Sequence, residues 1–317
     1  MSATVVVPTW NGAERLERLL PSLGDSAQVL VVDNGSTDGT HELLAARYPA
    51  VDVLRLPTNE GFSRAVNRAA RAASGDVLVL VNDDCVCRPS FVERLAAVVD
   101  PGASVVMGAG VLLEAGDPGI VDSAGVELDD TLLVFDYLNG RPVASLQGAP
   151  APIGPSGAAA AFDRSAFLSA GGFDERLFAY WEDVDLVLRL RLAGGLCALA
   201  TDARAVHAHS STLGSGSARK NYLVGFGRGY VLRKWGVLHG RRLAPALSRE
   251  LAICAAQLAV DRNASGIAGR VAGWRAARAV QPLEYPTELL GARRRLADEV
   301  RRRIGRRRRL RAAARAA

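Results

Sequence analysis

Four short clusters in this chain carry residue types that can do chemistry together. Asn82-Asp83-Asp84 sets two adjacent acids beside a neutral amide, directly after the apolar run Val77–Val81. Acids at the end of a buried strand are costly unless they meet a cation or a helix N-terminus. Hard oxygens on a rigid strand end suit Mg2+ or Mn2+ held chiefly through a substrate diphosphate; a solvated strand-to-helix loop would read the same. Glu182-Asp183 opens a helical stretch after the aromatic segment Phe178-Ala179-Tyr180-Trp181. Carboxylates there either serve the helix dipole or, in aromatic and partly dry surroundings, act as a general base. Asp33 ends the run Val29–Val32 and begins Asp-Asn-Gly-Ser. It reads both as a carboxylate for a ribose hydroxyl or base N–H and as plain turn chemistry. His207 and His209 would share one face of a strand, if the strand continues that far, and one of them could complete a metal site. A lone buried histidine bonded to a carbonyl is the competing reading.

The elements that must position these clusters are legible as alternation. Strand patterns at 4–7, 29–32, 51–56 and 77–81, the last an unbroken apolar run, alternate with helical patterns at 11–23, 40–47, 63–73 and 89–99. Strands of that kind indicate a parallel sheet covered on both faces, with ligands at the strand C-termini. Beyond 104 the pattern loosens into a strand at 105–113 and hairpin segments to 155. A strand at 158–162, helices at 165–170 and 181–193, and a pair of strands at 196–200 and 203–207 follow. Residues 213–217 read as a loop, after which the composition is helical, Ala- and Arg-rich. The expected division is 1–217 as the catalytic part and 218–317 as a helical region.

Of the 317 residues, 49% are hydrophobic and 23% charged, which excludes a disordered or disulfide-stapled protein. The formal charge of +6 invites a nucleic-acid or membrane partner. Position alters that reading: residues 291–317 hold 12 Arg against two acids, a net +10, and the other 290 residues are at −4. Four cysteines fit a reducing cytoplasm, and the Cys85-Val86-Cys87 spacing is too close for the usual zinc pair. No signal peptide is expected, and no run reaches the roughly 18 uncharged residues of a membrane span.

In order and spacing, the clusters resemble the family 2 glycosyltransferases of the GT-A fold, and most closely rhamnosyltransferase-like members. The resemblance runs through Val5–Gly12, Val31–Thr40, Asn59-Glu60-Gly61-Phe62 with Asn67, Asn82-Asp83-Asp84, Gly171–Glu175, Trp181–Leu186 and His207–Gly214. It implies a Rossmann-like, mostly parallel sheet with flanking helices. Pro8, Thr9 and Asn11 would line the base and ribose of a nucleotide-sugar, and Asp33 would contact one of them. Asn59, Gly61 and Asn67 would lie by the nucleotide. Asp84 matches the last acid of the family's D-x-D motif and would hold Mg2+ or Mn2+, with Asp83 beside it. Asn82 departs from that motif at its first position. Asp183 would be the catalytic base, with Trp181 and Glu182 on the acceptor side. His207 or His209 would reach the metal or diphosphate.

The implied enzyme is an inverting, metal-dependent, single-addition transferase. Its donor would be dTDP-rhamnose ahead of a UDP-hexose, and its acceptor a glycan or lipid-linked hydroxyl in cell-envelope or polysaccharide synthesis. Val231–Trp235 lacks the Gln-x-x-Arg-Trp spacing of the processive synthases. The expected setting is cytoplasmic, with the Arg-rich tail touching an anionic inner membrane face and no nucleic acid as partner. Two rivals remain: a sugar nucleotidyltransferase, and a polybasic nucleic-acid- or membrane-binding protein without catalysis. An NAD-dependent oxidoreductase lacks its Gly-x-Gly-x-x-Gly after the first strand.

Overall fold

In the computed structural model, which describes residues 1–25, 27–208, 216–284 and 290, consecutive valines of the first strand serve opposite cores. Val5 and Val7 join one apolar cluster and Val6 the other. That two-sided burial explains why the strands read as unbroken apolar runs. Strands β1 (Ala3–Thr9), β2 (Gln28–Asp33), β3 (Asp52–Arg55) and β4 (Val77–Val81) lie in the order β3-β2-β1-β4, all parallel. The chain leaves β1 toward β2 on one side and returns to β4 on the other. A crevice therefore opens at the carboxyl ends of β1 and β4, where ligands of open α/β sheets sit.

Helices α1 (Ala13–Leu19), α2 (Thr40–Arg47), α3 (Phe62–Ala72) and α4 (Phe91–Ala96) cover the two faces. Leu16 and Leu19 bury the inner side of α1; Ala65, Val66, Ala69 and Ala70 do so for α3. The expected helix at 11–23 is shorter because the chain tightens into a 3-10 turn over Leu20–Ser22, with Pro21 in its opening positions. Beyond β4 the sheet is mixed. Strand β10 (Ala159–Asp163) runs antiparallel to β4 and to β6 (Val105–Glu114), β6 pairs in parallel with β11 (Leu196–His207), and β5 (Cys85–Cys87) closes the edge antiparallel to β11. Strand β7 (Asp117–Ser123) pairs with β6, and β8 (Val126–Leu128) with β9 (Val134–Asp136) forms a separate hairpin.

The expected strand pair at 196–200 and 203–207 is a correction: β11 is one strand of 12 residues. Its register against β6 shifts between Leu199 and Arg204, so the Thr201-Asp202 stretch bulges within the strand instead of turning. Helices α5 (Arg164–Ser169) and α6 (Glu182–Leu192) follow in the catalytic part, then α7 (Ala218–Lys234), α8 (Leu243–Asp261) and α9 (Ser265–Ala276). Helices α7 and α9 approach backbone to backbone. An added Cβ at Gly225 or Gly229 would strike the carbonyl of Gly266 or Arg270, and one at Gly269 or Gly273 that of Tyr222 or Phe226.

Candidate functional site

The loops after β1, β2 and β4 are laced together at the crevice. Asn11, left-handed at φ 50°, donates its backbone N–H to the Ser36 hydroxyl at 2.9 Å, and its side-chain oxygen accepts from the Thr37 N–H at 2.9 Å. Asp33 is fully buried. Its Oδ1 accepts from the Ser36 N–H at 2.9 Å, which closes the turn, while Oδ2 lies 3.7 Å from Arg55 Nε. The Asn34 amide donates to Asn59 Oδ1 at 3.2 Å and to the Gly61 carbonyl at 3.1 Å. Gly61 has φ +91°, and a Cβ there would lie 2.5 Å from the Phe178 carbonyl; only glycine permits that approach.

Thr9 and Arg15 span the crevice to the acid cluster. The Thr9 hydroxyl donates to Asp83 Oδ2 at 2.6 Å and Arg15 Nη2 does so at 2.9 Å. Burial pushes Asp83 upward, against the pull of Arg15 and Thr9. Asp84 stands beside His207, Oδ1 to Nε2 at 3.3 Å, and the other ring nitrogen of His207 meets Asp122 Oδ2 at 3.0 Å. Burial works against a charged imidazole, but Asp122 and Asp84 outweigh it and hold His207 up at about 9. The pairing of β11 with β5, which sets His207 opposite Cys85, and the donation of the Ala208 N–H to the Asp84 carbonyl bring these distant residues together. Asp84, Cys85 and His207 place three potential ligand atoms within 4.8 Å of one another. Cys85 belongs to the core: burial holds its thiol well above the ordinary value, and Sγ faces the Ala158 carbonyl.

Glu182 and Asp183 reach the same cavity from the first turn of α6. Asp183 accepts from the Gly157 N–H at 3.1 Å and the Val184 N–H at 2.8 Å, and burial still raises it despite those amides. Glu182 is buried, and its Oε2 has no hydrogen-bond partner among the described residues. Burial, then the charge of Asp183, holds it well above the usual carboxylate range. Two consecutive left-handed residues, Tyr180 at φ 72° and Trp181 at φ 76°, make the turn that presents the pair. Such conformations outside glycine persist only where packing enforces them. Here the Trp181 indole donates to the Val224 carbonyl at 3.1 Å and lies under the Arg228 guanidinium at 5.1 Å. Asp185, in the same first turn but fully buried, is spent on Lys234, Arg189 and the Trp235 indole, and so anchors α6 to α7.

These groups line a cavity of about 750 Å³. Pro8, Thr9, Asn59, Asp83, Asp84, Trp181, Glu182, Asp183 and His207 border it; Asn11, Asp33, Gly61 and Asn67 do not. Asn67, expected beside the nucleotide, has its amide bonded to the backbone of Phe173, 2.8 Å on each side, and so fixes α3 to the segment after Gly172. His209 and the tail 291–317 lie outside the described residues. The sequence reading missed Asp122, Arg219 and the wall made by α8. Asp122 reaches His207 only through the pairing of β7 with β6. Arg219 sits over the rings of Trp10 and Phe178, and the aromatic Trp10 after the first strand is its one sequence signal. Val224 and Arg228 of α7 and Ile253, Ala256 and Gln257 of α8 complete the wall.

A nucleotide crevice at the ends of parallel strands, with an acid–histidine group and a carboxylate pair on one cavity, is the layout of a GT-A glycosyltransferase. The structure of GalNAc-T7 with UDP, GalNAc and Mn2+ shares the fold at TM-score 0.58 and 18% identity, over 74% of this chain and 48% of that one, so this chain spans about half its length. The mannosyltransferase PcManGT from Pyrobaculum calidifontis, in complex with GDP-Man and Mn2+, does so at 0.52 and 21%, over 89% and 76%. Within that class the chain belongs to glycosyltransferase family 2. Residues 4–123 match Glycosyl transferase family 2. The N-acetylglucosaminyl-diphospho-decaprenol L-rhamnosyltransferase of Mycobacterium tuberculosis is 34% identical over 238 residues, 65% of this chain and 76% of that protein. The protein is a nucleotide-sugar-dependent glycosyltransferase.

Proposed function

We propose that the protein transfers a single sugar, with inversion, from a nucleotide donor to an acceptor hydroxyl with the help of Mg2+ or Mn2+. The observation that carries this reading is the unequal carboxylate pair on one cavity. Glu182 is buried with Oε2 unpartnered among the described residues, while Asp183 is half-buried, is supported by two backbone N–H groups and borders the cavity. One carboxylate supported by backbone N–H groups, with no other assigned as nucleophile among the described residues, fits a single displacement. In that step the acceptor oxygen bonds to the anomeric carbon as the bond from that carbon to the diphosphate breaks, its electron pair leaving with the diphosphate. The hydroxyl proton passes to Asp183. Proton removal of this kind contributes about 10²–10⁴-fold.

The donor set suits a divalent cation. Asp84 and His207 are a hard and a borderline ligand, and the buried Oδ1 of Asn82 lines the same cavity with no hydrogen-bond partner among the described residues. When bound, such a cation would offset the charge growing on the departing diphosphate. Asp122 would orient the His207 ring, and Thr9 with Arg15 would keep Asp83 turned into the crevice. Pro8, Thr9, Trp10, Asn34 and Asn59 would hold the nucleoside, with Asn11 and Asp33 shaping its loops.

The donor proposed first is dTDP-rhamnose, and the acceptor a lipid-linked glycan of the cell envelope, because the 34% identical relative is named for a rhamnosyl transfer to a diphospho-decaprenol. The proposed division near Ser217 separates kinds of element, since both parts wall the cavity. The proposed setting is the cytoplasm beside a membrane. Incubating the protein with dTDP-rhamnose and UDP-sugars, with Mg2+ or Mn2+, and reading the anomeric configuration by NMR tests the proposal. Inverted product is expected, and Asp183→Asn should retain nucleotide affinity while losing turnover. Retained configuration, or wild-type turnover in the variant, overturns it.

A further inference from the structure

Helix α8 shows two faces that a water-soluble helix does not combine. Its inner face carries the only charges between Leu243 and Val260, Arg249 and Glu250, and both are buried. Arg249 pairs with Asp129, and Glu250 lies between Arg228 at 2.7 Å and Arg270 at 2.8 Å. The same side, through Ile253, Ala256 and Gln257, walls the catalytic cavity. The outer face is apolar and exposed. Leu243, Leu247, Leu251 and Leu258 are 41%, 42%, 71% and 44% exposed. On a helix of 3.6 residues per turn these four, with Cys254, fall within an arc of about 80°. A surface helix ordinarily turns polar residues to that side, and a contiguous apolar face of this kind marks a contact.

We propose that α8 lies in the plane of a lipid bilayer, its leucine stripe among the acyl chains, so that the cavity it walls opens at the membrane surface. By length and composition the segment Gly240–Asp261 is apolar enough to cross a membrane. The ion pairs of Arg249 and Glu250 hold it along the protein body instead, which makes it an interfacial helix. Its ends fit that seat. Arg241 before it and Arg262 after it are exposed, placed for lipid phosphates at both ends of a helix about 28 Å long. The net +10 of residues 291–317 adds attraction to an anionic surface. This charge pattern selects a bilayer over a second copy of the chain, whose own stripe would bring the same arginines together. The docking does not depend on which sugar is transferred.

Flotation of the full chain with vesicles of equal parts phosphatidylglycerol and phosphatidylcholine tests it, at low salt and at about 1 M salt, where the Debye length is about 3 Å. Wild type is expected to float in both. The double variant L247E/L251E, altered only at exposed positions outside the cavity, should lose about tenfold or more of its vesicle partitioning at high salt. Its melting temperature and nucleotide affinity should stay unchanged. A variant that floats like wild type at high salt overturns the proposal. So does a wild-type dimer, seen by light scattering, that the two substitutions split and that does not float. A second measurement needs no substitution: Cys254 lies on the outer arc, and Cys85, Cys87 and Cys197 are buried. An environment-sensitive thiol probe on Cys254 should shift to the blue when vesicles are added at high salt. Unchanged emission overturns the docking.

Discussion

Glu182 and Asp183 are neighbours in sequence whose surroundings ask opposite things of a proton. Glu182 ionises near 4.3 in an unfolded chain, and burial raises it in the fold. Below its ordinary value both states hold the proton and nothing is lost. As pH rises past that value the unfolded chain ionises while the fold keeps its proton, so stability falls until the folded value is passed. Each tenfold gain in proton affinity is worth about 1.4 kcal/mol. Glu182→Gln is therefore expected to raise the melting temperature at neutral pH and to leave it unchanged near pH 4, as calorimetry across pH will read. Asp183, also raised by burial, has to be ionised to take a proton. The acid limb of kcat should therefore lie above the ordinary aspartate value of about 3.9, and a limb at or below that value would remove Asp183 from the base role. Asp122 acts through His207. Asp122→Ala should weaken Mn2+ binding by about 10–100-fold, measured by titration calorimetry, with nucleotide affinity in the absence of metal unchanged.

At the scale of elements, legibility followed the source of each signal. Strands β1, β2 and β4 are readable because burial on both faces leaves an apolar run that no neighbour needs to complete, whereas β3 is an exposed edge strand. Strand β5 has three residues, Cys-Val-Cys, and exists only because β11 passes beside it. The single β11 was read as two strands because a bulge uses the same polar letters as a turn. The site divides in the same way. Asp84, Asp183 and His207 stand next to the elements that present them, whereas Asp122 and Arg219 reach the cavity through pairings that no local pattern records. Helices α7 and α9 carry a further sequence signal, Gly225-x-x-x-Gly229 facing Gly269-x-x-x-Gly273. Their contact is tight enough that a side chain larger than hydrogen meets backbone. Gly273→Val should cost about 1–3 kcal/mol, and more if the pair separates. Urea unfolding will show it, and an unchanged midpoint would mean the two helices can slide apart freely. Because Arg228 and Arg270 on these helices hold Glu250, a loosened pair should also displace α8 and with it one wall of the cavity.

Across the whole molecule, charge is partitioned. The first 290 residues carry −4, and the cavity gathers Asp83, Asp84, Asp122 and Asp183, an arrangement that draws cations and repels an anionic surface. The last 27 residues carry +10. Two forces of different range would then bring the catalytic body to lipid. A polybasic segment attracts anionic headgroups at about 1 kcal/mol per arginine near the surface and is screened by salt; a buried leucine stripe acts at contact and is indifferent to salt. Their separation is testable on one chain. A protein ending at Leu290 should lose most of its vesicle binding at low salt, because an acidic body now faces an acidic membrane. It should keep the fraction that resists high salt, because that fraction belongs to α8. Its turnover of a water-soluble acceptor should match the full chain, since every residue proposed for the chemistry lies before Leu290. If truncation also abolishes the salt-resistant fraction, the tail is the anchor and the leucine stripe has another partner.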